Sequence, residues 1–252
     1  MINMDNTNKY NNMQDDYSKY RPDYPNEAIE CILNKCSISS DFKIADIGAG
    51  TGKLGLPFLK KGFKVYCVEP NKDMYRKCTS NLGEYENFYG LLSTAENTGL
   101  DDQSIDLIVI GQAFHWFNLE EFKKECKRIM TKDGYVAILY NDNDYTKDIV
   151  NELHKINQQY CPNYKGLDGI LNNNENIYNE FFTDYSMSVF DNNRKLNLEQ
   201  FIGGCFTASF ALKPNEPNYE NYLKKLKDVF THYSKDGYVI MPINTTLRIG
   251  KI

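Results

Sequence analysis

The stretch that most constrains this chain is DIGAGTG, residues 46–52, set between the apolar run KIADIG (43–48) and the helix-forming LGLPFLKK (54–61). Gly48, Gly50 and Gly52 alternate along it. They leave a backbone bare of side chains, free to take turn angles closed to other residues and able to let a flat ligand lie on the main chain. A buried strand that enters such a turn and leaves as a helix begins a strand–helix–strand path, the unit from which parallel sheets are wound.

The segments that follow keep the alternation. Gly62 can end the first helix, KVYCVE (64–69) is a second strand, and Asn71 caps a helix running to about Asn81. FYGLL (88–92) makes a weak third strand, whereas IDLIVI (105–110) is apolar nearly throughout, as in a sheet covered on both faces. Asn118 and Glu121 have the spacing of a capping box for LEEFKKECKRIM, and the DG pair at 133–134 turns the chain into YVAILY (135–140), a fifth strand. Upstream, Asn26 caps a helix with Ala28, Ile29, Ile32 and Leu33 on one face. The fold class predicted is α/β: a doubly wound, mostly parallel sheet with helices on both faces.

Beyond residue 141 the periodicity loosens. A helix is expected over 146–159, a loop or helix edge over 171–180, a strand over 185–190, a helix over 196–212 kinked at Gly203–Gly204, a helix over 219–233 and one strand over 238–252. These segments predict a single domain over 1–252. Residues 1–40 form an N-terminal lid or helix, 41–140 a binding core, 141–237 a C-terminal cap and insertion, and 238–252 the terminal strand.

Composition excludes several classes of partner. A formal charge of −5 argues against a surface built to neutralise phosphates, and the basic clusters at 60–64, 123–128 and 224–227 fall on helices among acidic neighbours, as solvated faces do. The seven cysteines are odd in number and contain no CxxC pair, so a disulfide framework or a structural zinc is disfavoured and reduced thiols are expected. The opening residues lack a secretory pattern, and no stretch is long and apolar enough to span a bilayer. A cytoplasmic protein without metal, membrane or nucleic-acid partner is predicted, its oligomeric state open.

The chemistry lies in what surrounds the glycines. A dinucleotide turn spaces them GxGxxG, with the third letting the helix approach a pyrophosphate; here the spacing is GxGxG, residue 53 is lysine, and Asp46 stands two residues ahead of the first glycine. A strand, DxGxGxG, a helix and an acid closing the next strand together resemble the class I S-adenosylmethionine-dependent methyltransferases, whose sheet is Rossmann-like. The resemblance implies that Asp46, Gly48, Ala49, Gly50, Thr51 and Gly52 cradle S-adenosylmethionine and its product S-adenosylhomocysteine. It implies that Glu69 accepts hydrogen bonds from both ribose hydroxyls, a charge-assisted grip. Pro70 and Met74 would pack on the base. The segment 93–117 looks like the family's adenine loop and fourth strand, so that Thr94, Ala95 and Glu96 flank the adenine, Ala95 through its backbone NH, with Gly111 and Gln112 as further cofactor neighbours. YSKYRPDYP (17–25) is similar to the opening of a small-molecule branch that includes trans-aconitate methyltransferase-like proteins. There Arg21 would clamp the methionyl carboxylate with two parallel bonds, and Tyr17, one turn earlier, would close over the cofactor. The resemblance covers residues 15–140 well.

IGQAFHWFN (110–118) holds the only tryptophan beside one of three histidines, at the carboxyl end of the fourth strand, where ligands of open α/β sheets sit. His115, with an ordinary pKa of about 6.5, suits a general base; Phe114, Trp116 and Phe117 suit an aromatic wall around a substrate pocket, with His115 part of that wall. In-line methyl transfer draws about 7–11 kcal/mol from alignment alone, so a base is optional. Arg194, Lys195 and Arg248 are the cations that could draw an acidic substrate, whereas His154 and His232 lie outside any motif. Methyl transfer to a small-molecule acceptor is the leading expectation; an NAD-linked dehydrogenase and a non-catalytic module that retains the pocket are the alternatives.

Overall fold

β1 (Lys43–Ile47) pairs in parallel with β2 (Lys64–Val68) on one side and β4 (Ile105–Gly111) on the other in the computed structural model, which describes residues 14–36, 41–166 and 175–252. β3 (Phe88–Leu91) adds beyond β2 and β5 (Met130–Asn143) beyond β4, both in parallel. β9 (Ile243–Lys251) lies antiparallel between β5 and β6 (Asp184–Asp191). The seven-stranded order is therefore β3-β2-β1-β4-β5-β9-β6, with β9 the one reversed strand. The expectation of a mostly parallel, doubly wound α/β sheet is met.

Each face of the sheet has its own core. On one, α2 (Asn26–Cys36), α3 (Gly55–Lys60) and α4 (Lys72–Leu82) lay Ile29, Ile32, Phe58 and Leu82 against Ile44, Val65, Leu107 and Leu139. On the other, α5 (Leu119–Ile129) and α7 (Glu175–Phe181) lay Phe122, Ile129 and Phe181 against Ala45, Ile108, Ile110 and Ile138. Neighbouring residues of each strand point to opposite faces, which is why these strands read as unbroken apolar runs. Burying Phe58, Phe122 or Phe181 contributes about 1.5–3 kcal/mol each. A third cluster gathers Val150, Leu153, Phe201, Tyr222, Leu226 and Val239 from α6 (Asp148–Tyr160), α8 (Leu198–Phe206), α9 (Tyr219–Tyr233) and the ribbon of β7 (Arg194–Leu196) with β8 (Val239–Met241). Within 141–237, then, β6 belongs to the main sheet, while α6, α8 and α9 share a separate core. Among the described residues no helix is long and apolar enough to cross a membrane.

Four local expectations are corrected. The DG pair at 133–134 does not interrupt a strand: β5 starts at Met130 and passes it with a register shift between Ile105 and Leu107 on β4. The strand expected over 238–252 is two, because Pro242 has no N–H to offer a ladder; its carbonyl instead accepts from Asp144 N at 3.0 Å. The helix expected over 196–212 stops at Phe206, where Thr207 caps it, while Leu196 belongs to β7 and Asn197 forms a capping box with Gln200. Gly203 serves packing there, since a Cβ on it would meet the Tyr20 ring at 2.6 Å. The capping box at Asn118 is only half formed. Asn118 Oδ1 accepts from Glu121 N at 3.4 Å, but Asn118 N donates to Glu96 Oε1 at 2.9 Å. Residues 1–13, 37–40 and 167–174 lie outside the described residues, and with them parts of the lid expected over 1–40 and of the loop or helix edge expected over 171–180.

Candidate cofactor and acceptor site

The glycine turn is fastened to the end of β2 before any ligand is considered. Gly48 N and Ala49 N both donate to Val68 O, at 2.9 and 3.1 Å, and Asn81 Nδ2 of α4 donates to Thr51 O at 3.0 Å. Gly48, Gly50 and Gly52 all take positive φ, +70°, +57° and +85°. The last two do different work. A Cβ on Gly52 would lie 2.4 Å from Leu82 Cδ1, so this glycine lets α4 close on the turn, whereas a Cβ on Gly50 would meet no atom within 4 Å. The main chain at residue 50 is bare and open.

Glu69, 8% exposed, stands directly beside it. Its Oε2 accepts from Gly50 N and its Oε1 from Asn71 N, each at 2.8 Å, which orients the carboxylate and leaves further lone pairs on both oxygens. Burial raises its pKa while those two amides pull it down. Asp46, 1% exposed at the end of β1, has no hydrogen bond of good geometry to either oxygen, and Thr51 Oγ1 is likewise unpartnered among the described residues. Burial pushes the Asp46 carboxyl up to about 7, the Gly55 amide nearby partly offsetting it. Orphaned buried oxygens, an uncovered backbone and an oriented carboxylate fit a ligand that brings hydroxyl and N–H donors and a flat body. They fit a nucleoside.

The other sequence-predicted residues fall around this turn. Asp46, Gly48, Ala49, Gly50 and Thr51 line one cleft together with Arg21, Gly111, Gln112, His115 and Trp116. Arg21 follows α1 (Gln14–Tyr20) and donates from Nη2 to Thr207 O at 2.8 Å; the side chain of Tyr17 lies outside the described residues. Pro70 and Met74 border Asn71, whose Oδ1 accepts from Met74 N at 2.9 Å, and Met74 is buried. Thr94 and Glu96 flank buried Ala95 in a loop bridged from Thr94 to Asn97. Glu96 holds that loop to α5 through Asn118 N, and Glu125 holds it again through Thr98 N and Oγ1 at 2.8 and 2.6 Å.

Past the end of β4 the chain makes a 3-10 turn over Phe114–Trp116. Phe114, His115 and Trp116 all line a second, larger cleft of about 980 Å³. Phe114 is also a core residue, 4% exposed, stacked on Tyr178 at 5.6 Å. His115 is exposed; its amide donates to the Tyr140 hydroxyl at 3.1 Å, its Nδ1 lies 3.0 Å from that oxygen, and its ring sits 4.5 Å from that of Trp116. Burial holds the Tyr140 phenol well above its ordinary pKa.

Two features here were missed by sequence reasoning. Gln112 takes a left-handed φ of +58°, with its N donating to Leu139 O and its side chain to Asn141 O at 2.7 Å; strain of this kind in a non-glycine residue costs about 1–3 kcal/mol and collects at functional sites. Asp142, on β5, lines both the large cleft and a third one that also contains Arg21, Arg194 and His154. Of the cations singled out for an acidic substrate, only Arg194 reaches a cleft. Lys195 lies over the Tyr238 ring at 4.4 Å, and Arg248, 3% exposed, pairs with Glu175 at 2.5 Å and stacks on Tyr178.

Comparison with known proteins agrees with this geometry. Residues 45–138 match the family model described as a methyltransferase domain. An uncharacterized methyltransferase of Staphylococcus carnosus is 30% identical over 158 residues, 60% of this chain and 68% of the relative. One from Mycobacterium tuberculosis is 33% identical over 140 residues, 56% of this chain and 55% of the relative; the chain thus spans about half the length of such curated relatives. A structure assigned to the type II methyltransferases, from Anaeromyxobacter dehalogenans, superposes with a TM-score of 0.65 over 92% of this chain and 98% of that one, at 19% identity, a likeness of fold. The chain belongs to the class I S-adenosylmethionine-dependent methyltransferases.

Proposed function

We propose that the protein transfers a methyl group from S-adenosylmethionine to a small-molecule acceptor in the cytoplasm, as in the trans-aconitate methyltransferase-like branch that its YSKYRPDYP segment resembles. The observation that carries this is Glu69, held by the amides of Gly50 and Asn71 beside a glycine turn with nothing over residue 50. When bound, the cofactor supplies an electrophilic methyl group on a sulfonium.

The chain's own residues bind, orient and exclude water. Glu69 takes the ribose hydroxyls, Asp46 and the 48–52 backbone the rest of the nucleoside, Pro70, Met74 and the Thr94–Glu96 loop the base, and Arg21 with Tyr17 the amino-acid end. Gly111 and Gln112 lead to the acceptor cleft. Phe114, His115 and Trp116 wall it, His115 as part of that wall, with its ring beside that of Trp116. Within 141–237 the cap is the part that shares a separate core, α6, α8, α9 and the β7–β8 ribbon, and within 1–40 α1 and Arg21 close over the cofactor. Alignment of the acceptor is the main source of rate.

Calorimetric titration with S-adenosylhomocysteine, S-adenosylmethionine and NAD tests this reading. Both sulfur nucleosides should bind and NAD should not. Charge-assisted bonds contribute about 1.5–3 kcal/mol each, so Glu69→Ala, which removes two, should lower S-adenosylhomocysteine affinity about 100-fold or more. Unchanged affinity in that variant, or a preference for NAD, refutes the assignment.

A further inference from the structure

Among the described residues Asp142 is the only acid that lines either of the two clefts beyond Gln112. It is half-buried, and its carboxylate makes no hydrogen bond or ion pair among the described residues. On β5 it shares a face with Tyr140, two residues earlier, which lines the same large cleft. The walls around it are aromatic: Phe114, Trp116, Tyr140, Tyr178 and Phe210. A carboxylate withdrawn from water and left without a partner is costly, and burial pushes its pKa up to about 6, with the Arg248 charge pulling the other way. Arg248 acts on Asp142 only through space: its Nη2 is paired with Glu175, its guanidinium plane is stacked on Tyr178, and its Nε and Nη1 have no hydrogen-bond partner among the described residues.

Ring faces carry negative potential and attract organic cations, most strongly where water is excluded. A lone carboxylate set among such faces is the arrangement that recognises a cation. Lys165 lines the same cleft but is exposed, so its ammonium keeps its water, whereas Arg21 and Arg194 line the neighbouring cleft and donate to Thr207 O and Tyr20 O.

We propose that Asp142 selects the acceptor by charge: the aromatic cleft takes an organic ammonium, a protonated or quaternary amine, whose cationic group lies against the Asp142 carboxylate. This inference rests on the methyl-transfer reading for the identity of the acceptor cleft. Its physical content, a charge preference, stands apart from that reading and is measured apart from it.

Three probes of nearly equal shape decide it: 2-phenylethylamine, 2-phenylethanol and 3-phenylpropionate. Each is titrated at pH 7.5 into the protein alone and into the protein saturated with S-adenosylhomocysteine. The amine should bind at least tenfold more tightly than the alcohol, and the acid more weakly than either. Asp142→Asn should bring the amine within threefold of the alcohol without changing S-adenosylhomocysteine affinity, and Asp142→Glu should keep the wild-type order. The proposal is overturned if the acid binds most tightly, which would give selection to Lys165, Arg194 or Arg21. It is equally overturned if the amine shows no advantage over the alcohol, failure of all three to bind included, or if Asp142→Asn retains the preference. Should Asp142→Asn not fold, the order of the three probes on the wild-type protein still decides. Failure of S-adenosylhomocysteine to bind would strike the methyl-transfer reading, while the charge order on the protein alone would still judge Asp142.

Discussion

Asp46→Asn should make the ligand-free protein less sensitive to alkaline pH. The Asp46 carboxyl is 1% exposed, lacks a hydrogen bond of good geometry, and has its pKa raised from 3.8 to about 7. A carboxyl whose folded pKa lies above its unfolded one binds its proton more tightly when folded. Its cost is therefore absent below the unfolded value, grows as pH rises, and is complete above the folded value. At 1.36 kcal/mol per unit the whole cost is about 4 kcal/mol, of which roughly a third is already present at pH 5. Between pH 5 and pH 8 wild type should thus lose about 2–3 kcal/mol that Asp46→Asn does not lose. Urea denaturation of both proteins at the two pH values measures this as a difference of differences, in which the desolvation cost of the asparagine amide cancels. Parallel stability changes in the two proteins would mean that Asp46 has a partner at neutral pH, and the orphaned carboxylate described here would be wrong.

Other perturbations probe the same turn and its surroundings. Gly50→Val should abolish S-adenosylhomocysteine binding in calorimetry while the protein stays folded by circular dichroism. A Cβ there meets no atom within 4 Å, and the left-handed backbone costs about 1–2 kcal/mol. His115→Ala should lower turnover several-fold with unchanged cofactor affinity; a loss of about 10³-fold in kcat would instead make His115 a general base.

The part of the fold over residues 43–129 was legible because its strands are buried on both faces and punctuated by glycines and caps. DIGAGTG announced the turn, and Asn71 caps α4 as its position suggests, accepting from Asp73 N and Met74 N. Legibility failed where polar residues continue an element. NDN (141–143) lies beyond the strand expected over 135–140 but is strand too, since β9 pairs with it through Thr245, Asn244 and Ile243. That extension is what carries Asp142 into the clefts, so the residue was invisible to a search for motifs. The alternation of Tyr140 and Asp142 was the one local signal available. Gln112 gave none, because nothing in its type foretells a left-handed backbone. Glu96 was read for the base it might touch, whereas its bond to Asn118 N depends on α5 being folded against the loop, a contact across 22 residues.

The reversed strand sets a timetable. β9 follows both of its neighbours in sequence, yet it alone joins β6 to the rest of the sheet. As the ribosome works through the roughly 60 residues after β6, at about 5–20 residues per second, that strand waits several seconds with its ladder groups unmet. Val189 and Met187, each more than half exposed even when folded, lie on it. Newly made chains are accordingly most prone to stick to one another in that interval, and chaperones have most to do before residue 251 is reached.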